Sequence, residues 1–93
     1  MDKEEARKLV TEKLEEYRKL TYAELAARIG NDDYLDMTGP SGSEYQLEVQ
    51  FMWDSKPNDD IRVSAGIDDG GLSAFMPLCE DFIVTPDGEF VGE

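Results

Sequence analysis

From Glu44 to Trp53, apolar and polar side chains alternate almost without a break. Tyr45, Leu47, Val49, Phe51 and Trp53 hold the odd positions; Glu44, Gln46, Glu48 and Gln50 hold the even ones, with Met52 the exception. A strand turns successive side chains to opposite faces, so this period predicts a half-buried strand with one wet face. Burying five side chains of this size stabilises by roughly 1.5–3 kcal/mol each. No other stretch has so clear a period, and the rest of the chain is read around it.

Ahead of it, residues 2–20 have a helical pattern. Ala6, Leu9, Val10, Leu14, Tyr17 and Leu20 recur at three- and four-residue spacing, and Asp2 stands where an N-cap or first-turn acid belongs. Thr21-Tyr22-Ala23-Glu24 has the spacing of a capping box, which favours a second, separate short helix over one kinked rod, with Tyr22, Leu25, Ala26 and Ile29 on its apolar stripe. Gly30 is placed to stop it. A short strand over Tyr34–Thr38 and a turn at Gly39–Gly42 lead into the organising strand.

After a loop over residues 54–60, Ile61, Val63, Ala65 and Ile67 alternate with Arg62, Ser64, Gly66 and Asp68 as a third strand. Asp69-Gly70 is a two-residue hairpin signal of the type I′ kind. It predicts a fourth strand in which Leu72, Ala74 and Met76 alternate with Ser73 and Phe75, ended by Pro77. With a tight turn, Ile67 faces Leu72, Ala65 faces Ala74 and Val63 faces Met76. With Trp53 opposite Ile61, Phe51 faces Val63, Val49 faces Ala65 and Leu47 faces Ile67. Every row is then apolar throughout, and a one-residue slip would flip them all, so the pattern supports an antiparallel meander. The central row Val49–Ala65–Ala74 is small, and the first helix is expected to cross there. Leu78–Glu93 forms a C-terminal arm: Phe82-Ile83-Val84 is apolar without alternation, Pro86-Asp87-Gly88 is a turn, and Phe90-Val91 can return as a hairpin partner. This arm either extends the sheet or crosses its wet face.

The expected fold is therefore α+β. One or two N-terminal helices pack on a four-stranded antiparallel meander with a C-terminal arm, in a single domain over residues 1–93. Ninety-three residues are enough for one core.

Charge changes this picture. The chain has 9 basic and 22 acidic side chains and a net charge of −13. Residues 1–28 are balanced, so the whole excess falls on residues 29–93, where Lys56 and Arg62 are the only bases. Such a field repels nucleic acid and anionic lipid and favours basic protein surfaces or cations. It also serves plain solubility. No apolar run approaches membrane-spanning length and no charged leader precedes an apolar stretch, which points to a cytoplasmic chain without membrane contact.

The inventory of reactive groups narrows the chemistry. There is no histidine, and Cys79 is the only cysteine. An intramolecular disulfide, a Cys/His zinc site and a histidine-activated nucleophile are all excluded by count. Cys79 is followed by Glu80 and Asp81, whose charges disfavour a thiolate. The run Asp54–Asp60 fails the EF-hand pattern, because Lys56 takes the third position and Asp59 the sixth. No phosphate-binding glycine motif is present. No cofactor or metal is expected.

The wet sheet face is the candidate site. The register places Tyr34, Glu48, Gly66 and Ser73 in one row, Gln50, Ser64 and Phe75 in the next, then Met52 and Arg62. Tyr34, Met52 and Phe75 are apolar on a face that should be polar, and Asp36, Glu48 and Asp68 surround them. An apolar patch with an acidic rim suits a basic or mixed protein partner. The competing expectation is that Phe82, Val84 and Phe90 of the arm cover it. Thr38–Gly42, Tyr45-Gln46 and Pro86–Glu93 together resemble segments of small uncharacterised acidic bacterial proteins, a resemblance that implies no activity and assigns no functional residue. The function expected is that of a non-catalytic acidic protein-binding module, of the inhibitor or immunity type. The alternative is a small carboxylate- or cation-dependent enzyme, which would show two carboxylates converging in a concave pocket.

Overall fold

The computed structural model describes residues 1–71 and 77–93. Helix α1 spans Lys3–Arg18 and buries Ala6, Val10, Leu14 and Tyr17, one apolar stripe at helical spacing. Asp2 caps it, its carboxylate accepting from the Glu5 N–H at 3.1 Å. Helix α2 spans Tyr22–Ala26. Its capping box is complete: the Thr21 hydroxyl accepts from the Glu24 N–H at 3.1 Å, and the Glu24 carboxylate accepts from the Thr21 N–H at 2.9 Å. Thr21 is extended, so the two helices are separate.

Four strands follow: β1 (Asp33–Thr38), β2 (Glu44–Trp53), β3 (Ile61–Asp68) and β4 (Leu78–Val84). They pair antiparallel in chain order, the meander that the alternation predicts. The β2–β3 register is the expected one, with Leu47 opposite Ile67, Val49 opposite Ala65, Phe51 opposite Val63 and Trp53 opposite Ile61. Helix α1 lies over β3 and β4, and α2 over β3, all on one side of the sheet. The core fills the space between, from Tyr45, Leu47, Val49 and Phe51 of β2, the odd residues of β3, and Phe82 and Val84 of β4.

The strand that completes the sheet is not Leu72–Met76. Leu78 stands opposite Ile67, Glu80 opposite Ala65, Phe82 opposite Val63 and Val84 opposite Ile61. The expected fourth strand lies outside the described residues, and its side of β3 is taken by β4. Asp69-Gly70 therefore does not form a two-residue turn between β3 and the strand that pairs with it. Gly70 keeps the positive φ (83°) that the turn signal implied, with its N–H donating to the Asp68 carboxylate at 2.8 Å. Phe82 and Val84 are buried in the core opposite Val63 and Ile61, which stabilises this pairing by removing their apolar area from water. The central row is Val49–Ala65–Glu80, with the longer Glu80 where the small Ala74 was expected; Glu80 stays partly exposed and accepts from the Thr11 hydroxyl of α1 at 2.7 Å.

The arm extends the sheet. Phe90 bridges Val84, and the Val91 N–H donates to the Ile83 carbonyl at 2.9 Å. Phe82 and Phe90 meet edge to face with centroids 5.6 Å apart. The Arg18 guanidinium lies over both rings and forms two hydrogen bonds with Glu93, at 2.7 and 2.6 Å.

Candidate functional site

One face of the sheet carries both helices. Among the described residues no element packs on the other. Its side chains are the even residues of β1, β2 and β3 and the odd residues of β4. The rows that result are Asp36–Gln46–Asp68, Tyr34–Glu48–Gly66–Cys79, Gln50–Ser64–Asp81 and Met52–Arg62–Ile83. Cys79 stands where Ser73 was expected and Asp81 where Phe75 was expected, a consequence of the fourth strand being Leu78–Val84. Phe82 and Val84 point into the core and Phe90 packs on Phe82, so these three do not cover the open face.

Four of the six residues expected at the site come together. Tyr34, Asp36, Glu48 and Asp68, with Gln46, line one shallow open depression of about 390 Å³ over β1 and β2. It adjoins a second, lined by Asp36, Thr38, Glu44, Gln46 and Asp69. Tyr34 is 72% exposed, an unusual position for an aromatic ring. The neighbouring Glu48 carboxylate, by hydrogen bond and charge, pushes its phenol above the ordinary value. Met52 lies apart, beyond the Gln50–Ser64–Asp81 row. Phe75 lies outside the described residues. Among the described residues the face is acidic, with Tyr34, Met52 and Ile83 as separate apolar groups.

Among the described residues Arg62 is the one base that the strands place on this face, and it is already engaged. Its Nε and Nη2 donate to Asp54 at 3.0 and 2.8 Å, and Nη1 donates to Asp81 at 2.6 Å. The two carboxylates hold its guanidinium more firmly protonated than usual. A single cation shared by two anions leaves the local balance negative.

Two further residues escape sequence reasoning. Glu5 joins the helix to the β1–β2 turn: it accepts from the Ser41 N–H at 3.0 Å, the Ser41 hydroxyl at 2.8 Å and the Tyr45 hydroxyl at 2.7 Å. These bonds hold its carboxyl below the ordinary value, and its proximity pushes the Tyr45 phenol up to about 12. Gly39 lies beneath it, where a Cβ would run into the Glu5 carboxylate. Asp33 is the second: it accepts from the Tyr17 hydroxyl at 2.7 Å and from Arg28 at 3.2 Å, fixing the start of β1 against the helices.

Among the described residues no group of three or more thiol and carboxylate side chains is placed to hold a metal ion. No helix among them is long and apolar enough to cross a membrane. The chain matches no family model, no curated protein and no solved structure.

Proposed function

We propose that this chain is a non-catalytic protein-binding module whose open, acidic sheet face engages a basic surface on a protein partner, in the manner of an inhibitor or immunity protein. One observation carries the reading. The helices cover a single sheet face, while the other presents Asp36, Glu48 and Asp68 in one depression and has its only arginine tied between Asp54 and Asp81. Complementary charge speeds encounter and rejects wrong partners. The same field turns away nucleic acid, since phosphates would meet a chain of net charge −13. A cytoplasmic setting goes with this reading, because Cys79 is a lone exposed thiol and such thiols persist in reducing compartments.

The test is affinity capture from the source cell with the wild-type chain and with the triple variant Asp36→Lys/Glu48→Lys/Asp68→Lys, run in parallel. The wild type should retain a basic protein at about 0.15 M salt and release it near 1 M, where exposed charges are screened within about 3 Å. The variant should lose that protein while keeping its far-UV circular dichroism. A captured set indifferent to the charge reversal would sink the proposal.

A further inference from the structure

The two edges of the sheet are not equally closed. In an antiparallel pair, alternate residues turn their N–H and C=O groups towards the partner strand and the others turn them away. Gly39 N–H donates to the Ser43 carbonyl at 2.8 Å, and Gly30 N–H to the Phe51 carbonyl at 3.4 Å. These bonds, with the register, set the odd residues of β1 towards β2. Tyr34, Asp36 and Thr38 therefore aim their backbone groups outward, and among the described residues β1 pairs with β2 alone. On the opposite edge the same alternation turns Cys79, Asp81 and Ile83 outward; there the Val91 N–H occupies the Ile83 carbonyl, so the arm closes the Ile83 end of that edge.

An unpaired edge is a template for another strand. The side chains flanking this one specify what would fit. Tyr34, Asp36 and Thr38, whose backbone groups point outward, also carry their side chains on the open acidic face. Leu35 and Met37, between them, lie on the helix side, half-buried against the core. An incoming antiparallel strand would set one alternate set of side chains beside Asp36 and the exposed Tyr34 ring, and the other beside Leu35 and Met37. The first set suits lysine or arginine, by charge and by cation–π contact with Tyr34. The second suits apolar residues. A second copy of this chain fits badly: two-fold pairing of β1 with itself brings Asp36 against Asp36, between bodies that each carry a net charge of −13.

We propose that β1 is a strand-addition site for an extended partner segment in which basic and apolar residues alternate, docked antiparallel along Tyr34–Thr38. This rests on the reading of the open face as an acidic interaction surface and names the mode and chemistry of the partner.

The experiment uses the full chain and synthetic seven-residue peptides. One alternates lysine and valine, one has the same residues in block order, and two alternate but are N-methylated, either on the lysine amides or on the valine amides. Binding is read by calorimetry and by amide shifts and exchange. The alternating peptide should bind at least about tenfold tighter than the block peptide and protect the Tyr34, Asp36 and Thr38 amides. Methylating the lysine amides, which would face β1, should abolish this, whereas methylating the valine amides should not. Thr38→Pro removes an outward N–H without touching a β1–β2 bond. It should lose the binding while keeping its denaturant midpoint. Equal binding of block and alternating peptides, with shifts on the Gln50–Ser64–Asp81 row, would overturn strand addition while leaving the acidic-face reading intact. Absence of binding by every peptide would overturn it as well. So would a concentration-dependent dimer that protects the β1 amides without peptide, since a second copy would then be the occupant.

Discussion

Under α1, the row Val49–Ala65–Glu80 is dry at Val49 and Ala65, and its one charged member accepts a hydroxyl from Thr11. One residue along the same strands, Gln50–Ser64–Asp81 faces away from the helices, and its charged member holds Arg62. The two rows share strands, register and backbone bonds, and differ in which layer they meet. Covered positions must be apolar or individually partnered, because an unpaired buried polar group costs several kcal/mol. Open positions carry no such demand, so their composition is free to serve an encounter. The accumulation of Asp36, Glu48, Asp68 and Asp81 on the free side is the informative part of the sequence.

Substitution at neighbouring positions breaks the comparison most severely. Val49→Asp puts an unpaired charge into the covered row and should cost about 4 kcal/mol or more, enough to unfold a domain of this size. Gln50→Asp, one residue away on the open face, should stay within about 0.5 kcal/mol of wild type. Urea midpoints decide it, and equal losses would remove the assignment of the two faces.

Next in size is the strand that the sequence pattern does not single out. Phe82→Ala removes a buried ring lying beneath Arg18 and against Phe90, and about 3–4 kcal/mol should go with it. Ile83→Ala, on the open face, should cost about 1 kcal/mol. A reversed order in thermal melts would mean that β4 is set the other way round.

Thr21→Ala lies outside both faces. It deletes the hydroxyl half of the capping box and should cost about 1 kcal/mol, with restoration by Ser and not by Val. Circular dichroism melts of the three variants are sufficient. A null effect would show that Leu25 packing and the Tyr22 hydroxyl bond to the Asp59 carbonyl hold α2 without the Thr21 hydroxyl.

The smallest effect is a dependence on pH at the rim of the covered face. The Tyr45 and Ser41 bonds depress the Glu5 carboxyl below 4.5 in the folded state. A depressed carboxyl contributes stability that is present above its unfolded pKa and lost as pH falls through the folded one. The difference in melting temperature between wild type and Glu5→Gln should therefore be constant above pH 5 and shrink below about 4.5. Tyr45 acts in the opposite sense. Its phenol is raised from 10.0 to about 12, so its contribution is full below pH 10 and lost as pH rises towards 12. A difference between wild type and Glu5→Gln that stays constant from pH 6 to pH 3 would remove the bond between helix and turn from the account.

Much of the fold is legible in the chain because its signals are local. A two-residue period needs nothing beyond neighbouring side chains, and it yields β2, β3 and their register. The capping box at Thr21 and the cap at Asp2 are likewise local and stand as expected. Four members of the candidate site, Tyr34, Asp36, Glu48 and Asp68, follow from the same period, because strand alternation fixes which face each residue joins.

The sequence by itself determined that the sheet would have one apolar and one wet face and that the N-terminal helices would pack on one side of it. Which segment closes the sheet was decided only in three dimensions. Leu72–Met76 and Leu78–Val84 both present apolar residues at alternate positions, and Glu80 spoils the pattern of the one that pairs. The choice depends on burying Phe82 and Val84 beneath a helix more than sixty residues away in the chain, with Thr11 to satisfy Glu80 across a separation of 69. The Arg62 fork has the same origin, since Asp54 and Asp81 lie 8 and 19 residues from it and meet it only across the finished sheet. The open edge of β1 is likewise a property of the assembled sheet. Whether a strand is central or terminal depends on what every other strand has already paired with, and that is not written in the strand itself.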